Sequence, residues 1–180
     1  MVAAIVLPGI GGSDAGHWQS LWQGSDRTWI RMKPTSWDTP ELADWLAALE
    51  RSLDEAREPV ILIAHSLACL LVVHWARHRR NIVHGAFMVA VPDPSGPKFP
   101  REARSFEHPP RMPLPFPALV VASTNDPYGS VQYARDCARF WQAGFVSAGA
   151  LGHISSDSGL GEWRQGRDLL EAFCAGACRR

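Results

Sequence analysis

A serine, an aspartate and a histidine, met in that order along a chain, can make one activated nucleophile if the fold brings them together. In this sequence the candidates are Ser66, Asp126 and His153. A serine hydroxyl attacks a carbonyl only once a base takes its proton, and an imidazole oriented by a carboxylate is such a base. The chemistry expected of the trio is transfer of an acyl group from an ester, or less readily an amide, onto Ser66 and then to water.

Each residue also has a plainer reading. Ser66 lies in Ala64-His65-Ser66-Leu67-Ala68, between an apolar run and a helical one. That is the place of a nucleophile elbow, but alanine stands at both glycine positions of Gly-x-Ser-x-Gly. The demand there is small size, which alanine meets with one extra methyl. A helix N-cap is the alternative for Ser66. His153, in Gly152-His153-Ile154, could be a surface-loop residue, and Asp126, in Asn125-Asp126-Pro127, a turn residue. Asp93 and Asp157 compete for the role of the acid: Asp93 follows an earlier strand, whereas Asp157, four residues after His153, is better placed to cap local backbone. The joint order of serine, acid and histidine, each after a strand-like run, favours the catalytic reading.

An oxyanion needs donors. The N–H of Leu67, at the head of the helix after Ser66, is one candidate. The loop Pro8-Gly9-Ile10-Gly11-Gly12-Ser13 supplies the other, with Ile10 the first choice and Gly11 the second. A dinucleotide loop would need a third glycine where Asp14 stands, and a P-loop would need Gly-Lys-Ser/Thr. His74 and His78 are spaced for a zinc helix but lack the Glu that follows the first histidine in that motif. No metal or organic cofactor is required by this chemistry. Gly11, His65, Trp18 and Trp37 are candidates to line a substrate pocket.

These residues need a scaffold. Apolar runs at residues 3–7, 29–33, 60–64, 86–91, 118–122 and 145–147 read as strands, and residues 17–23, 42–53, 67–77, 131–141 and 162–173 as helices. Thr39-Pro40-Glu41 reads as the start of the second helix, with Thr39 as its cap. The alternation predicts an α/β fold, a three-layer αβα sandwich on a mainly parallel sheet, formed by residues 1–180 as a single domain. The proline-rich stretch 92–117 is too short to be a linker between domains.

The formal net charge is zero, with 18 basic and 18 acidic residues, so neither nucleic acid nor an anionic membrane is an expected partner. The sequence does not set an oligomeric state. Arg77, Arg79, Arg80, Arg179 and Arg180 are expected at solvent-facing helix ends. The apolar start lacks a basic leader and runs into Pro8-Gly9, and no apolar run is long enough to span a bilayer. Cys69, Cys137, Cys174 and Cys178 are expected to be reduced thiols of a cytoplasmic protein, with Cys69 buried.

With these residues in place the chain resembles small serine hydrolases of the retinoblastoma-binding-protein-nine type, within the α/β hydrolases. The resemblance rests on Gly16-His17-Trp18, Ala64-His65-Ser66-Leu67, the run from Ser123 to Tyr128, and Gly152-His153-Ile154 followed by Ser158-Gly159-Leu160-Gly161. It implies a compact hydrolase fold without a lid domain, and Ser66, Asp126 and His153 in the family's catalytic places. Two other activities fit the same residues: a non-catalytic protein-binding module on this fold, and an acyltransferase working through the same acyl-enzyme.

Overall fold

The computed structural model describes residues 3–26, 28–78 and 82–177. Arg79, Arg80, Cys178, Arg179 and Arg180 lie outside them.

Six strands form one parallel sheet: β1 (Ala3–Leu7), β2 (Ile30–Arg31), β3 (Val60–His65), β4 (Val83–Val89), β5 (Ala118–Ala122) and β6 (Gly144–Ser147). Their order is β2-β1-β3-β4-β5-β6. The predicted second strand shrinks to two residues at the edge, and β4 starts and stops earlier than the apolar run suggested. The helices are α1 (Trp18–Ser25), α2 (Leu42–Glu55), α3 (Leu67–Trp75), α4 (Val131–Trp141) and α5 (Arg164–Ala177).

Strand side chains alternate between the two faces of the sheet. Ile5, Leu7, Leu62, Ala64, Met88 and Val120 meet α2, α3 and α4 on one face. Val6, Ile61, Ile63, Phe87, Val89 and Val121 meet α1 and α5 on the other. This is the expected αβα sandwich. Because β3 is covered on both faces, its residues from Val60 to His65 are all buried. Helix α3 is equally enclosed, which explains its nearly unbroken apolar sequence.

The second face is rich in tryptophan. Trp22 stacks on Trp163 with ring centres 5.9 Å apart, and the Arg167 guanidinium lies 4.9 Å from the Trp29 ring centre. Trp18 packs among them.

One local expectation needs correction. Thr39 does not cap α2. The helix starts at Leu42, whose N–H donates to Ser105 Oγ at 3.0 Å, while the Thr39 hydroxyl donates to Ser36 Oγ. The cap is supplied across the fold, so no local pattern could report it. In the proline-rich stretch a 3-10 turn at Arg101–Phe106 buries Ala103 and Phe106, and Phe106 sets its ring edge-on to Trp45. His74 faces the Phe106 carbonyl through Nε2 at 3.3 Å. Among the described residues no helix is long and apolar enough to cross a membrane.

Candidate active site

The carboxyl ends of β1, β3, β4, β5 and β6 open onto one edge of the sheet, where loops must carry any chemistry. β3 passes directly into α3 through Ser66, whose φ of 55° and ψ of −125° fall where a non-glycine residue is strained. Such a conformation costs about 1–3 kcal/mol and persists only where neighbours enforce it. Here the Ser66 N–H is held by the Val89 carbonyl at 2.9 Å, and Ala64 and Ala68 are fully buried. Gly9 of the first loop lies so close that a methyl on it would come within 2.9 Å of Ser66 Cβ. Alanine therefore suffices at both positions of the elbow itself, and the strict glycine is the one facing it.

The Ser66 hydroxyl makes no cap bond to α3. It lies 2.7 Å from His153 Nε2 instead. His153 Nδ1 lies 2.9 Å from each carboxylate oxygen of Asp126. An ionised carboxylate only accepts, so Nδ1 carries the proton and Nε2 is left to accept from the serine. The Asp126 side chain is 2% exposed, and its Oδ1 also accepts the Tyr128 N–H at 2.9 Å. The Tyr128 ring lies over His153 with centres 4.5 Å apart. Asp93 is engaged elsewhere, accepting the Ser95 N–H. The turn beside Asp157 is capped by Ser155 rather than by Asp157.

The loops that carry Asp126 and His153 are tied side by side. Thr124 N–H donates to the Gly149 carbonyl at 2.9 Å, Leu151 N–H to Ser123 Oγ at 2.9 Å, and Gly152 N–H to Asn125 Oδ1 at 2.7 Å. Ser123 and Asn125 are thus support for the histidine, a role that spacing alone does not reveal.

A cavity of about 340 Å³ opens above Ser66 and His153. Ile10, Phe99, Pro100 and Tyr128 give it apolar walls, and Gly11 and His65 also line it. Trp18 and Trp37, expected in those walls, are absent from them. Trp18 is buried in the second core and its indole N–H donates to the Ile154 carbonyl at 2.8 Å. Trp37 packs on Trp45 and under Gly12. Both brace the loops of the site from behind.

Of the two loop donors considered, Gly11 N–H is engaged by the Trp37 carbonyl at 3.2 Å, whereas the Ile10 N–H meets no backbone acceptor among the described residues. Leu67 N–H, at the first position of α3, has none inside the helix. His17, not singled out by spacing, caps α1 through Nδ1 and lines the cavity. Burial pushes its pKa down to about 4, and burial holds that of His65 well below the usual imidazole value. Both are neutral at pH 7, so they add no charge beside His153. His65 Nε2 faces the His153 carbonyl at 3.0 Å and, as a neutral ring, donates to it. Cys69 is buried beneath the elbow, and burial raises its thiol pKa, so it is inert.

The sequence pattern of a family described as serine hydrolase matches residues 4–172. A solved protein from Pectobacterium atrosepticum, described as a YdeN-like hydrolase, is 32% identical, with a TM-score of 0.87 over 98% of this chain and 92% of its own. The ydeN product of Bacillus subtilis is 20% identical, with a TM-score of 0.79 over 97% of this chain and 100% of its own. Est1E from Butyrivibrio proteoclasticus is 14% identical, with a TM-score of 0.69 over 94% and 87%. The last two are likenesses of fold. No curated protein matches the chain.

Proposed function

The chain belongs to the serine hydrolase family, and on that premise we propose that it cleaves a small carboxylic ester through an acyl-enzyme on Ser66. Amides are the slower substrates in this reading. Within the family we assign it to the retinoblastoma-binding-protein-nine type, on the strength of the sequence motifs around residues 17, 66, 126 and 153.

One observation carries the proposal: the unbroken run from Asp126 through His153 to Ser66, at 2.9 and 2.7 Å, at the base of a cavity. Ser66 Oγ attacks the carbonyl carbon as His153 Nε2 takes its proton. Asp126 accepts from Nδ1 and stabilises the imidazolium without itself being protonated. The carbonyl electrons move onto oxygen, where Leu67 and Ile10 N–H groups stabilise them. The imidazolium then gives its proton to the leaving alkoxide. Water repeats the sequence on the acyl-enzyme and releases the acid.

A fluorophosphonate probe, followed by mapping of the adduct, tests this directly. Labelling at Ser66, lost together with esterase turnover in a Ser66→Ala protein of unchanged Tm, is the expected result. A wild-type protein that takes no label would be a binding module instead. Added alcohols that capture the acyl group in preference to water would make it an acyltransferase. Esters of p-nitrophenol with short and long acyl chains give the substrate range.

A further inference from the structure

Gln19 is fully buried although it carries a polar amide, and every donor it has is used. Its Nε2 donates to the Leu7 carbonyl at 3.1 Å and to the Ile63 carbonyl at 2.9 Å. Its Oε1 accepts from Ser13 Oγ at 2.8 Å. Its own N–H donates to His17 Nδ1. Leu7 ends β1, just before the loop with Ile10, and Ile63 stands just before the elbow with Leu67. One amide therefore grips the two strands at the point where they part to form the site. It also holds the far end of the loop through Ser13.

That loop needs holding. Gly11, Gly12 and Ser13 all have positive φ, at 80°, 77° and 56°. Arg31 completes the restraint: Nη1 donates to the Gly12 carbonyl at 2.8 Å and Nη2 to Ser20 Oγ at 2.9 Å, while the Ser20 hydroxyl donates to the Ser13 carbonyl at 2.8 Å. We infer that Gln19 is a positioning residue that sets the spacing between the Ile10 and Leu67 N–H groups, and so the fit of the oxyanion. The inference rests on the hydrolase reading above, since it presumes that these two groups are the donors. Oxyanion donors act through preorganisation, so a change in spacing weakens the transition state more than the bound substrate.

The test compares wild type with Gln19→Met and Ser13→Ala, using a short aliphatic trifluoromethyl ketone as the probe. Ser66 Oγ adds to its carbonyl carbon, the π pair becomes an alkoxide in the donor site, and the hydroxyl proton passes to His153. Gln19→Met is expected to lower kcat and weaken inhibition by the ketone together by about 10²-fold, the size of losing one oxyanion donor. KM should stay within about threefold, because the apolar walls still bind substrate. Ser13→Ala removes one hydrogen bond of the clasp and should lose about tenfold in both. It also keeps the test open if Gln19→Met fails to fold. Folded variants whose ketone inhibition matches wild type, or whose loss falls on KM, overturn the role of Gln19. A wild type that the ketone does not inhibit through Ser66 would instead sink the hydrolase reading itself.

Discussion

Ser66 leaves a strand that is buried along its whole length, whereas His153 stands on a loop after β6, an edge strand without a single buried residue. The first is fixed by close packing and an enforced backbone: Val89 holds its N–H, Gly9 leaves no room beside it, and α3 is walled in by the core. The second is fixed by polar ties: to the neighbouring loop through Ser123 and Asn125, and within its own segment through Ser158, whose hydroxyl donates to the Leu151 carbonyl at 2.6 Å. Packing has no substitute when it is disturbed, while a lost surface hydrogen bond is partly replaced by water. Ser66 is therefore held rigidly, and His153 is held in a way that degrades by steps.

The largest effect on the histidine side is expected where charge rather than position is removed. Asp126→Asn should lower kcat about 10⁴-fold, because the amide favours the wrong tautomer of His153. Asp93→Asn, measured beside it, should leave turnover near wild type; if Asp93→Asn were the crippling change, the acid would be misassigned. On the serine side, Gly9→Ala should cost about 10²-fold in kcat/KM, since the new methyl must displace the elbow or the loop with Ile10. Full activity in that variant would show that the elbow has slack and would dissolve the contrast between the two regions. The smallest effect is expected from Asn125→Ala, which releases the Gly152 N–H. A loss of about tenfold in kcat, with the protein folded, corresponds to about 1.4 kcal/mol of His153 positioning. A loss as steep as that of Gly9→Ala would mean that the histidine loop is as rigid as the elbow.

Much of this arrangement was legible in the residues. The apolar runs gave β1, β3 and β5, and α4 begins and ends where the helical period placed it. The same pattern put Ser66, Asp126 and His153 at strand ends, and the structure brings their side chains into one hydrogen-bonded row. Trp18 and Trp37 were misplaced because an aromatic residue in a loop looks the same whether it faces a cavity or backs it. Thr39 was misplaced because the true partner of the α2 N-terminus, Ser105, is distant in sequence. Gln19 left one faint trace: a polar residue beside Trp18 and before Trp22 on a buried helix face.

What the sequence determined by itself was the order of strands and helices and the residue types at their ends, since periodicity and turn chemistry are local. What only the tertiary structure decided was which buried polar atoms meet. Gln19 bridges Leu7 and Ile63, and Asn125 holds Gly152, because the sheet brings distant carbonyls and N–H groups to within hydrogen-bond reach. Such groups must find partners once removed from water, and the identity of the partner is a property of the assembled fold rather than of any stretch of chain.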